Sequence, residues 1–282
     1  MNKTENFYKL AKLDGFDFYT GKTINYRENI GKTVKCPNFN SRGNLCSSAF
    51  IHSSRNPNDC FVGANIPCSA YLVAGKPIKE DVSKCGFEKL KIIEELKPQE
   101  LFRWKYIEAC NPINPFNIIP PKNITEKHIR LVGKWYSVSN SVSNSVWDSV
   151  WYSVCNSVWY SVRDSVRASA WASVWDSVWY SVRDPARDSV CNSVRDPARA
   201  SVSNSVSNSV RASAWAYTGN IFTPVVPAWG KGYPYQSAID LWHMGLIPSF
   251  DGKKWRLHGG KKAEILWEGT LKAAKQLKKE GK

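Results

Sequence analysis

The sequence predicts an α+β amino-terminal domain, then an array of tetrapeptide repeats, then a small carboxy-terminal capping region. Three observations predict this. Short β-branched and aromatic runs punctuated by turn residues fill the amino-terminal part. Twenty four-residue groups follow in unbroken register from Ser137 to Ala216. Beyond them, Asp251-Gly252 reads as a hairpin turn between two short strands. The segments are therefore 1–100 for the mixed domain, 101–136 for a helical and proline-rich connector, 137–216 for the repeats, and 217–282 for the cap and basic tail.

Within the first segment, Phe16 to Thr23 reads as a strand followed by a turn, and Ala49–His52 and Ser69–Gly75 read as further strands. Pro98 to Tyr106 begins a helical connection. Asn111 to Pro121, with prolines at 112, 115, 120 and 121, reads as an extended linker. The eight cysteines include no C-x-x-C pair, and in a chain without a secretory signal they read as reduced small hydrophobes. Cys36, Cys46, His52, Cys60 and Cys68 lie close enough in sequence to raise a zinc site. Their spacing matches no finger or knuckle, so neither a metal nor a cofactor is expected.

The array has a defined grammar. Position one is Ser in eighteen groups and Pro in two (Pro185 and Pro197); position two is Val in sixteen and Ala in four. Position three is Trp in seven, Arg in seven, Ser in four and Cys in two. These residues are linked by single-base codon changes, and every basic residue of the array is Arg, which points to a duplicated twelve-base unit. In one continuous α-helix a step of four residues drifts by about 40°, so twenty groups would leave no steady buried face. A β-solenoid suits the pattern better, with Val inward, position three outward and Asx-Ser at the corners. Helices broken at the prolines are the rival. In either form position three is the variable surface, so Trp147, Trp151, Trp159, Trp171, Trp175 and Trp179, with Arg163, Arg167 and Arg183, are the candidate binding residues. The opposing expectation is that the tryptophans pack inward.

Charge narrows the partners. The formal net charge of +15 splits into +8 over residues 1–136, +1 over the repeats and +6 over residues 217–282. The basic flanks leave non-specific nucleic acid open as a partner, and the variable surface leaves open a protein. No apolar run is long enough to span a bilayer and residues 1–30 lack the order of a signal peptide, so no membrane association and a cytoplasmic location are expected. Oligomeric state is not legible.

DFYTGKT, LCSSAFIHSS followed by NPNDC, and the ending YPYQSAIDLWHMGLIPSFDGKKWRLHGG resemble uncharacterised phage and gut-bacterial proteins that carry SVxx repeats. That resemblance implies a repeat-bearing accessory protein, located in the host cytoplasm if phage-encoded, and transfers no catalytic residue. His52, with Arg55, Tyr71 and Glu80 after it, resembles the order of NAD-binding residues in ADP-ribosyltransferase-like folds. No phosphate loop, dinucleotide glycine fingerprint or nucleophile–base motif accompanies it. The leading expectation is thus a non-enzymatic binding or structural protein that displays a variable repeat surface. Nucleic-acid binding through the flanks and an NAD-using enzyme are the alternatives.

Overall fold

The computed structural model describes residues 5–153, 156–168, 174, 177–178 and 192–270. It divides the chain into two units, residues 1–110 with 151–162, and residues 111–150 with 163–282.

The first unit is built on antiparallel strands. β1 (Asn6–Ala11), β2 (Thr33–Lys35), β4 (Ser69–Ala74) and β7 (Lys89–Leu96) form one sheet in the order β1-β4-β7-β2. β3 (Ile51–Ser53), β5 (Lys79–Glu80) and β6 (Cys85–Phe87) form a second, in the order β3-β6-β5. Alternation along β7 buries Leu90 and Ile92 against Phe7, Tyr71, Val73 and Phe87, which removes the apolar faces of both sheets from water. The segment expected as a strand from Phe16 is a turn instead. Asp17 Oδ1 accepts the amides of Tyr19 (2.8 Å) and Thr20 (3.1 Å), and that local bonding competes with strand pairing. Two short helices follow, α1 (Pro98–Leu101) and α2 (Tyr106–Cys110).

The solenoid expectation is overturned. Where described, the tetrads are helical, except at the turn of Asn140 and Ser141. They enter the end of α3 (Glu126–Ser139), all of α4 (Val142–Ser153) and α5 (Asn156–Val166), and most of α6 (Asn192–Ile221). No solenoid and no stack for a cap to close occur among the described residues. Nor does proline always end a helix, because Pro197 lies inside α6.

The drift of the stripe accumulates only along a long helix, and α4 and α5 are short, at 12 and 11 residues. Val142, Val146 and Val150 in α4, and Val158, Val162 and Val166 in α5, are all buried. Two steps of four residues rotate the stripe by only about 80°, inside the width a helix normally buries. In α6 the same spacing continues as Val210, Ala214, Thr218 and Phe222, again buried or helix-terminal against the core. The serines and threonine avoid the usual penalty for polar groups in helices by bonding back to the preceding turn. Ser213 Oγ donates to the Ser209 carbonyl (3.2 Å), and Thr218 Oγ1 to that of Ala214 (2.9 Å).

The second unit joins α3, the first part of α4 and α6 to α7 (Gln236–His243) and a sheet of β8 (Ile247–Phe250), β9 (Trp255–Gly259) and β10 (Glu264–Gly269), ordered β10-β9-β8. The β8–β9 hairpin turns at Asp251-Gly252, as the sequence suggests. Asp251 Oδ1 accepts the amides of Lys253 and Lys254, and Gly252 takes a φ of 95° that disfavours a side chain. Tyr217 of α6 stacks on Trp242 of α7 (4.8 Å), and both bond the backbone of Ile113. Gly219 admits Val146 and Tyr233 so closely that a Cβ would stand 2.5 Å from the Tyr233 hydroxyl.

Candidate functional site

Two clefts in the second unit share a wall. The first, about 250 Å³, is lined by Arg163, Val166, Arg167, Arg211, Ala214, Trp215 and Thr218. The second, about 420 Å³, is lined by Arg211 and Trp215 again, by the aromatic Tyr136, Phe250 and Trp255, and by Asn140 and Asn208 among its polar groups. Neither is lined by an acidic side chain among the described residues.

The local origin of each wall is visible in the fold. Arg163, Arg167, Arg211 and Trp215 all occupy position three of their tetrads, one residue on from the buried Val or Ala. In a helix that step turns about 100°, which sets these side chains at the edge of the buried stripe. Tyr136 comes from α3, and Phe250 and Trp255 face it from the two sides of the β8–β9 hairpin. Phe250 stacks on Trp255 at 5.0 Å, and Tyr136 meets Trp255 edge-on at 5.5 Å. Tyr136 remains half exposed. Arg163 bonds the neighbouring Asp164 at 2.9 Å, so part of its charge is compensated locally. Arg211 is exposed and forms no ion pair among the described residues.

Arg163 and Arg167 are thus brought together, as two of the sequence candidates. Trp159 is buried, and Trp147 is half-buried. The side chain of Trp151, and Trp171, Trp175, Trp179 and Arg183 altogether, lie outside the described residues. Sequence reasoning passed over Tyr136, Arg211, Trp215, Phe250 and Trp255. Position three did mark Arg211 and Trp215, but nothing local singled them out from the other arginines and tryptophans.

The ADP-ribosyltransferase-like set is not assembled. His52 pairs with Gly86 across β3–β6, whereas Glu80 pairs with Cys85, which in turn pairs with Ser53. Opposed residues share a face and successive ones alternate, so His52 and Glu80 lie on opposite faces of their sheet. Glu80 Oε2 is held by Arg55 Nη1 at 2.8 Å, and Arg55 also grips Glu5 through two bonds. Tyr71 is buried in the other sheet against Tyr26.

A cavity of about 230 Å³ in the first unit is lined by Lys9, Asp17, His52, Asp59, Cys60 and Lys84, among others. Lys9 Nζ pairs with Asp17 Oδ2 at 2.7 Å, which holds the carboxyl down at about 2 despite burial. Burial pushes the Cys60 thiol up to about 12, and it donates to the Tyr8 carbonyl. A thiol so protonated is a poor nucleophile. His52 bonds the Leu45 carbonyl, and burial lowers its pKa. Of the candidate ligands, Cys46, His52 and Cys60 line this cavity, whereas Cys36 does not. Cys36 Sγ donates to Ser48, and Cys46 is exposed. No group of three or more ligating side chains is placed to hold a metal among the described residues.

Ser249 Oγ and His258 Nε2 lie 2.7 Å apart, with His258 Nδ1 3.1 Å from the Ala263 carbonyl. The pair has nucleophile–base spacing, but both residues are fully buried. It joins strands β8 and β9.

No helix among the described residues is long and apolar enough to cross a membrane. Comparison with protein-family models, with curated proteins and with solved structures finds no match to this chain.

Proposed function

We propose that the protein is a non-catalytic binding protein that engages a polyanionic partner through position three of its tetrads. One observation carries this reading: Arg163, Arg167, Arg211 and Trp215 line a single cleft with no acidic side chain in its lining among the described residues. Guanidinium groups hold charge at every physiological pH and present forked donors to oxyanions. The reading keeps the variable position as the functional one and moves it from a solenoid surface to the walls between helices. The basic flanks assist by long-range attraction without forming the site.

Titration calorimetry of the full chain with inorganic polyphosphate tests it. Binding is expected at low salt, with affinity falling steeply as salt rises. An R167A/R211A variant is expected to lose most of that binding while its melting temperature stays close to that of the parent. Polyphosphate binding that the double variant leaves unchanged would place the contact on the flanks and defeat the proposal.

A further inference from the structure

We infer that the paired clefts take single-stranded nucleic acid, with a base in the aromatic cleft and the adjoining phosphates against the arginines. The inference rests on the binding reading above and adds the chemistry of the ligand. Phosphate alone would need only the arginine cleft. The second cleft shares Arg211 and Trp215 with it and is also lined by the half-exposed Tyr136, by Phe250 and by the buried Trp255. A hollow that sets aromatic rings among polar groups, beside a cluster of arginines, matches a molecule whose own ring and anion are one sugar apart. Nucleotides have that form.

The polar groups of the second cleft agree with this assignment. Asn140 and Asn208 are exposed on its wall, and neither side chain has a hydrogen-bond partner among the described residues. An amide presents a donor and an acceptor side by side, the pattern that pairs with a base edge. A duplex would reach the arginines with its phosphates, but its bases are stacked inside and cannot enter a hollow. Single strands present unstacked bases to aromatic side chains. An anionic peptide would satisfy the arginines and leave the aromatic cleft and its amides without a role. A free nucleotide offers the same ring and charge as a strand, so length is the variable that separates the two.

Fluorescence anisotropy of the full chain with a labelled twelve-nucleotide single strand tests the inference, with the matching duplex, a mononucleotide and polyphosphate as competitors. The strand is expected to bind at least about tenfold more tightly than the duplex, and the mononucleotide to compete only weakly. Tyr136→Ala is expected to weaken strand binding about tenfold, from the loss of one stacking face, and to leave polyphosphate binding unchanged. Arg211→Ala should weaken both and lower the salt dependence of strand binding by about one phosphate contact. Asn208→Ala, at an exposed position, provides a second variant that does not threaten folding and should weaken the strand alone. Equal binding of strand and duplex, or a Tyr136→Ala variant that binds the strand like the parent, overturns the inference. A mononucleotide that competes as well as the strand also overturns it, and assigns the clefts to a free nucleotide. If polyphosphate binds through Arg211 while no preference for bases is seen, the inference fails and the polyanion reading stands. If neither polyphosphate nor strand responds to Arg211→Ala, both fail.

Discussion

Lys9 is among the most costly side chains to bury in the first unit, and its position is explained by one partner. Its ammonium lies 2.7 Å from Asp17 and over the ring of Tyr26, and the pairing holds the Asp17 carboxyl at about 2. Lys9→Met is therefore expected to destabilise the unit by about 3–5 kcal/mol, because it strands a buried carboxylate. Lys9→Met with Asp17→Asn should cost clearly less than the sum of the single changes in denaturant titrations. The Asp17 contribution is present above its unfolded value near 3.8, and is lost as pH falls toward 2. His258 behaves similarly through a different cause. Burial lowers it from 6.5 to about 4, so the folded state excludes a proton that the unfolded chain accepts. Its contribution of about 3 kcal/mol is complete above pH 6.5 and is lost as pH falls through 4. His258→Gln should flatten the dependence of unfolding free energy on pH between those limits; an unchanged slope would remove His258 as its source.

At the scale of the element, position two of the tetrad packs inward in α4 and position four faces out there, at Asn144 and Asp148. Val146 is fully buried in α4, whereas Asn144 two residues earlier is exposed. Val146→Ala is expected to cost about 2 kcal/mol through lost contacts and the space left behind. Asn144→Ala should be neutral or slightly stabilising, because Ala is the better helix former. Equal effects of the two in thermal denaturation would contradict the assignment of faces. This inside–outside division was legible from the repeat itself, since Val recurring at position two marks the apolar side of each group whether the groups form corners of a solenoid or short helices. The helical form was not. Ser, Val, Trp and Asn are indifferent helix formers, and packing of Val, Trp and Tyr outweighs that weak preference. Strand β4 and the Asp251-Gly252 hairpin were readable because their patterns are local. The clefts were unreadable because Tyr136, Arg211 and Trp255 meet only through tertiary packing.

For the whole molecule, the consequence concerns how freely the repeat can change length. Slippage in a stack of equivalent units alters length at little structural cost. Here the tetrads are not equivalent. Residues 151–162 belong to the first unit, where Ser161 Oγ lies 3.2 Å from Asn65 Oδ1, and the tetrads before and after belong to the second. One tetrad inserted after Asp164 would move Val166 and Arg167 by roughly 6 Å along the helix and rotate them by about 40°. Arg167 would leave the cleft that it lines with Arg163 and Arg211, and Val166 would turn from its buried position. Such an insertion is expected to lower the melting temperature by several degrees and to abolish polyphosphate binding, while Asn144→Ala changes neither. Between close isolates, the number of tetrads from Ser137 to Ala168 should then be constant, with Arg retained at 163 and 167. Freely varying tetrad number in that stretch, in proteins that remain folded, would show that the helices tolerate a change of register and would remove the geometric basis of the site.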